Sequence, residues 1–86
     1  LKYARWDKGA WQHWVVAGTG SVEGGTSLAL DSAGHPRISY HDGKTGLRYA
    51  IGDGAGAWKT CEVDSSGDGG LYNSLGLDFD DQAHIG

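Results

Sequence analysis

Hydrophobic positions along this chain recur with a period of two rather than 3.6. Residues 27–31 set Leu28 and Leu30 on one face with the small Ala29 on the other. Residues 36–42 bring Ile38 and Tyr40 together, and residues 46–51 do the same for Leu47, Tyr49 and Ile51. Residues 58–63, opening on Trp58, form a fourth short run, and turn-forming residues bound each one. No glycine-free window of about eleven residues carries helical periodicity. Large residues are followed by alanine (Tyr3 then Ala4, Tyr49 then Ala50). That alternation predicts sheets covered on both faces, because a sheet with one wet face alternates apolar with charged residues.

The pattern also repeats at long range. Leu1-Lys2-Tyr3-Ala4 returns as Leu47-Arg48-Tyr49-Ala50, Trp11 as Trp58, and Ser27-Leu28-Ala29-Leu30-Asp31 as Ser74-Leu75-Gly76-Leu77-Asp78. Aligning residues 1–39 with 47–86, with Gly56 as one inserted residue, gives 13 identities in 39 pairs. A fixed period of this length marks an architecture in which one unit cannot bury its apolar faces without stacked neighbours.

The links between runs narrow the fold. Asp31-Ser32-Ala33-Gly34 has the residues of a type I turn, and Asp42-Gly43 and Asp53-Gly54 are hairpin signals of the primed kind, in links of about five or six residues each. These three links suit adjacent antiparallel strands. The fourth, from Asp64 to Asn73 and in the other copy from Ala17 to Thr26, is ten residues long. A four-stranded sheet is ~14 Å wide at a spacing of ~4.8 Å per strand, which ten residues can cross. Three short links and one long one describe the blade of a β-propeller. The expected fold is therefore an all-β propeller of four-stranded antiparallel blades, with two blade equivalents per chain.

The run from Ser27 through Asp42, followed by Leu47-Arg48-Tyr49-Ala50, Trp58 and Val63-Asp64-Ser65-Ser66-Gly67-Asp68, resembles propeller-type repeats of bacterial exported and surface proteins. The resemblance covers essentially the whole chain and implies a secreted or cell-surface location, but no single activity. The second copy departs from the pattern, with Ala83 for Pro36 and Asp81 for Gly34. In size and layout the chain is also similar to small two-bladed lectins that trimerise into six-bladed propellers. Their sugar-clamping Arg/Glu/Trp set has no counterpart here.

In this reading residues 1–16 supply the third and fourth strands of a shared blade, 27–63 an intact blade, and 74–86 the first and second strands of another shared blade. The tail of one subunit then pairs with the head of the next. Such heterologous contacts must close into a ring to avoid filaments, and two blades per chain favour a trimer over a tetramer. The alternative is a piece of a longer chain whose further repeats cover the free edges. The absence of methionine and the start at Leu1 suit a processed or excised piece.

Composition removes several function classes. A chain of 86 residues buries only ~60% of its unfolded surface and usually needs a supplementary device. Cys61 is the only cysteine, so no disulfide forms within one chain, and no Cys/His spacing suits zinc. Assembly with neighbours remains. The net charge of −4 argues against a nucleic-acid partner. No apolar run approaches the ~18 residues of a membrane span, and no signal-peptide pattern is present.

Candidate chemistry is sparse. Asp78, Asp80 and Asp81 cluster as calcium ligands do, but they lack the EF-hand glycine and glutamate and align with the plain turn at Asp31. The glycine clusters at 52–56 and 67–70 precede no helix, so turn chemistry explains them better than phosphate binding. No metal or cofactor is expected. Trp11 and Trp58 read as packing residues at equivalent positions, Trp6 and Trp14 as packing or interface residues, and Cys61 as a half-buried strand thiol. His41 beside Asp42 has the composition of an acid–base pair, but no nucleophile is placed to use it, and neighbours on a strand point to opposite faces. An enzyme is therefore not expected.

The long crossing loop and the hairpin between the second and third strands fall at the same end of a blade. The candidate ligand-binding residues there are His41, Asp42, Asp68, Tyr72 and Asn73, with Arg48 just inside. The expected function is a non-enzymatic, lectin-like carbohydrate-binding module, multivalent through its ring. The alternative is a scaffold for protein contacts with no small-molecule site. It is favoured by the divergence of Tyr72 and Asn73 from their counterparts Gly25 and Thr26.

Overall fold

A computed structural model describes residues 1–18, 22–65 and 72–86. The chain is all-β, and among the described residues every strand pairing is antiparallel. An N-terminal hairpin joins β1 (Lys2–Asp7) to β2 (Ala10–Val15). A central four-stranded sheet runs in the order β3 (Val22–Leu30), β4 (Pro36–Asp42), β5 (Gly46–Gly52), β6 (Trp58–Asp64). A short C-terminal hairpin pairs β7 (Leu75–Leu77) with β8 (Ala83–Ile85). Among the described residues no helix is long and apolar enough to cross a membrane.

The two hairpins cover opposite faces of the central sheet. Cross-strand partners share a face, so Leu28, Ile38, Ala50 and Thr60 form one row, flanked by Tyr40 with Arg48. Tyr3 of the N-terminal hairpin closes over this face and forms the main core with Ile38, Tyr40 and Ala50. Trp14, Val16, Ala17 and Trp58 pack around it. The Tyr3 ring lies 5.3 Å from Trp58, edge to face, and 5.5 Å from Trp14, a geometry favoured by the ring quadrupoles. On the other face, Tyr49 is buried and its hydroxyl accepts a hydrogen bond from Arg37 at 3.0 Å. The C-terminal hairpin docks there through the Leu75 amide, which donates to Ser27 Oγ at 3.0 Å. Tyr49 and Ala50 are thus buried from opposite sides, as their alternation implies.

The internal repeat is visible bond by bond. Asp31 Oδ1 accepts the amides of Ala33 and His35, and Asp78 Oδ1 accepts those of Asp80 and Gln82. The Gly34 amide donates to the Asp31 carbonyl, as the Asp81 amide does to Asp78. The side-chain contacts correspond as well: the Arg37 guanidinium reaches Asp31 at 3.1 Å, and its counterpart, the His84 imidazole, lies 3.0 Å from the Asp78 carboxylate. Where the first turn has Gly34 at φ 81°, the second holds Asp81 at φ 60°, a region short polar side chains tolerate. The Asp81 carboxylate accepts both the amide and the hydroxyl of Ser32, at 2.9 and 2.5 Å, tying the two equivalent turns together.

Several local expectations are corrected. The first strand of the central sheet begins at Val22, five residues before Ser27. Gly24 at φ 68° sits in an irregularity between Glu23 and Thr26 that lets the extra segment pair with His41 and Asp42. Asp42-Gly43 is not a two-residue primed turn: Asp42 pairs with Gly46, which takes the positive φ of 85° after a three-residue loop. Asp53 likewise pairs with Ala57 across three residues, 54–56, a loop that absorbs the inserted Gly56. The primed two-residue turn is at Lys8-Gly9, with φ values of 50° and 83°. Cys61 is exposed rather than half-buried. Trp11 is 60% exposed, whereas Trp58 is packed, because only Trp58 has a hairpin over it.

The aspartate turns carry a pH signature. The Asp31 carboxyl is lowered chiefly by the His35 amide, and Asp53 by the amides of Ala55 and Ala57. Asp78 is lowered chiefly by His84 and next by the Gln82 amide. A carboxylate whose folded pKa lies below its unfolded value adds stability that is complete above the unfolded value, about 4. That stability is lost as pH falls through the folded value. The melting temperature is therefore expected to fall below about pH 4. Asp53→Asn, which keeps an acceptor for both turn amides but carries no titrating charge, should lower the melting temperature slightly at pH 7 and make that acid limb shallower. An acid limb of unchanged slope in thermal melts would refute the assignment.

Candidate functional site

At the end of the central sheet where β4 turns into β5, polar side chains line an open cleft of ≈ 240 Å³. Its walls are Ala17, Tyr40, Asp42, Thr45, Arg48 and Thr60. β4 supplies Tyr40 and Asp42, two residues apart and so on one face. β5 supplies Arg48, the register partner of Tyr40. The β4–β5 loop contributes Thr45, β6 contributes Thr60, and the tail of the N-terminal hairpin brings Ala17. That tail is held by the amides of Val16 and Ala17, which donate to the Leu1 carbonyl at 2.9 and 3.3 Å. The cleft thus opens between two packed elements rather than on the surface of one.

Its charges are held in place. Asp42 is only 7% exposed, and its Oδ1 accepts the Lys44 amide at 2.8 Å, which fixes the carboxylate and the loop together. The Arg48 guanidinium leans on Thr45 Oγ1 at 3.4 Å and on Thr60 Oγ1 at 3.5 Å. These contacts are long for hydrogen bonds, so the guanidinium keeps donor capacity for a group entering the cleft. A carboxylate, a guanidinium and two hydroxyls in one concavity can bind a polar ligand through both donors and acceptors. None of the lining side chains is a thiol, imidazole or amine.

The structure divides the residues chosen from the sequence. It brings Asp42 and Arg48 into one cleft. His41 is buried on the opposite face of β4, as strand alternation requires. Asn73 also lies on that side: it accepts a hydrogen bond from Ser39 Oγ, and its Nδ2 donates to the Gly25 carbonyl at 3.1 Å. Asn73 therefore ties the segment before β7 to β3 and β4. Tyr72 is 88% exposed and lines no part of the cleft. Asp68 lies outside the described residues. Sequence reasoning missed Tyr40, Thr45, Thr60 and Ala17. The pairing register places Thr60 opposite Ala50, the second residue after Arg48, and that register depends on loop lengths the residues alone leave open.

Two of the three carboxylates in the acidic turn at 78–82, those of Asp78 and Asp81, are engaged within the fold. Asp78 caps its own turn and meets His84, and Asp81 binds Ser32. Among the described residues no group of three or more His, Cys, Asp or Glu side chains gathers as metal ligands do. Comparison with family models, curated proteins and solved structures finds no match to this chain.

Proposed function

We propose that this chain is a non-enzymatic binding module of propeller type, taking a saccharide-class ligand in the cleft around Asp42 and Arg48. The observation that carries the reading is the convergence of Asp42, Arg48, Thr45 and Thr60 on one concavity between packed elements. Neutral polyols are recognised by fixed donors and acceptors of this kind. The propeller reading is supported by a four-stranded antiparallel sheet with a half-sized equivalent of itself against each face. In this reading the C-terminal hairpin of one copy pairs with the N-terminal hairpin of the next, and two blade equivalents per copy favour a closed trimer over a tetramer. Such a ring presents several clefts at once, so weak sites add up.

The test is a glycan array followed by calorimetry on its best ligand. Arg48→Met is expected to weaken binding by about 10- to 100-fold, the value of a charge-assisted hydrogen bond to ligand, while leaving the melting temperature nearly unchanged. Binding undiminished in that variant would remove the cleft from consideration. A second reading, a scaffold for protein contacts, is favoured by the use of Ser39 and Asn73 to tie strands together rather than to line a site. A uniformly negative array would leave that reading in place.

A further inference from the structure

Equivalent residues of the two repeats are buried unequally. Leu75, lying against the central sheet, is 9% exposed, whereas its counterpart Leu28 is 54% exposed. Trp58, under the N-terminal hairpin, is partly buried, whereas its counterpart Trp11 is 60% exposed. Trp11 pairs with Trp6, itself 58% exposed, ring against ring at 5.5 Å, and Val15 on the same hairpin face is 63% exposed. Three large apolar side chains on one face of a two-stranded hairpin form the kind of patch that marks an interaction surface.

The molecule contains its own template for what covers that patch. Tyr3 and Trp14 lie on the face of the N-terminal hairpin that packs against Trp58, Ile38 and Ala50. Their repeat counterparts, Tyr49 and Cys61, lie on the central-sheet face that the N-terminal hairpin leaves uncovered. Ile51 and Cys61 are exposed there. Applying the internal repeat to the internal interface sets the Tyr49 face of one copy against the Trp11 face of another. The same operation applied to the β4–β5 register, where Arg37 faces Ile51, Ile38 faces Ala50 and Ser39 faces Tyr49, gives a register between copies.

We infer that the Trp6–Trp11–Val15 face is a docking surface for a second copy of this chain. That copy's β8 extends the hairpin edge antiparallel to β1, with His84 opposite Arg5, Ile85 opposite Ala4 and Gly86 opposite Tyr3. Its exposed Ile51 and Cys61, beside Tyr49 and the C-terminal hairpin docked on that face, cover the two tryptophans. Edge pairing supplies main-chain hydrogen bonds, and the aromatic stack supplies the desolvated anchor. The contact is heterologous, so each copy offers one surface of each kind. This inference rests on the shared-blade reading above and gives it a register and anchor residues.

The test joins native mass with a register-specific cross-link. In a Cys61→Ser background, Ala4→Cys with Ile85→Cys should form disulfides between copies on mild oxidation, giving a ladder that stops at the ring size. Offsetting the pair to Arg5→Cys with Ile85→Cys should link poorly. Trp6→Ser with Trp11→Ser should weaken self-association by about 30-fold or more, as loss of a central aromatic anchor does. A parent that assembles, with no 4–85 link and a tryptophan variant of unchanged mass, would overturn this contact and leave the ring reading standing. A parent that is monomeric at all concentrations would overturn both.

Discussion

Gly46→Ala is expected to destabilise the protein by about 3 kcal/mol or more. Two independent terms add at this position. Gly46 has φ 85°, where an L side chain costs roughly 1–2 kcal/mol. A Cβ there would also stand 2.3 Å from the Asp64 carbonyl oxygen and 3.1 Å from Ser65 Cα. Both are backbone atoms at the end of β6, so no rotamer change relieves the overlap. The strands β5 and β6 must separate where the β4–β5 loop and the cleft meet. Gly9→Ala is the matched control: its φ is 83°, but no atom lies within 4 Å of the added carbon, so only the conformational cost of roughly 1–2 kcal/mol remains. Denaturant midpoints of the two variants, measured at one protein concentration, check this. Equal losses would show that the Asp64 contact is absent in solution.

Tyr40→Ala is expected to cost about 3–5 kcal/mol, the range for truncating a buried aromatic side chain. Tyr40 is 1% exposed and sits with Tyr3, Ile38 and Ala50 in the core beneath the N-terminal hairpin. An 86-residue domain has a total stability of roughly 4–13 kcal/mol, so the loss removes between about a quarter and all of it. The loss should fall on the hairpin as well as the sheet, since Tyr40 is part of the surface on which Tyr3 rests. Tyr72→Ala, at a side chain 88% exposed, should change stability by less than about 0.5 kcal/mol. Urea titrations followed by circular dichroism distinguish the two. Near-wild-type stability of Tyr40→Ala would remove Tyr40 from the core.

Local signals in the chain carried far. The aspartates at 31, 53 and 78 bind the amides two and four residues ahead. That interaction needs nothing beyond its own turn, so residue type marks where the chain turns, while the side-chain bonds themselves come from the structure. Alternation likewise announced the strands, because side-chain period follows from the pleat and not from the partner. The exact loops failed where the choice was not local. Asp42-Gly43 has the residues of a primed turn. The positive φ went to Gly46 instead, because that glycine lies under the Asp64 carbonyl and no other residue fits there.

The candidate cleft was half legible. Charge and position near a hairpin mark Asp42 and Arg48, and both line the cleft. Position near the same end marks His41 and Asn73 as well, yet they lie across the sheet. A one-residue step along a strand exchanges faces, so proximity in sequence could not decide membership of the site. Thr45 and Thr60 entered through the register of β4, β5 and β6, which is a property of three strands together.

By itself the sequence determined that the chain is all-β and antiparallel, that a turn follows Asp31 and its counterpart Asp78, and that its two halves repeat one unit. Each of these depends on contacts within a few residues or on the alternation of a single strand. Only the tertiary structure decided which equivalent residues are buried. Leu28 and Leu75, or Trp11 and Trp58, have the same identity and strand position but different neighbours. Burial is decided by what lies on top of a side chain, and that information is held by the packing of separate elements rather than by any one of them.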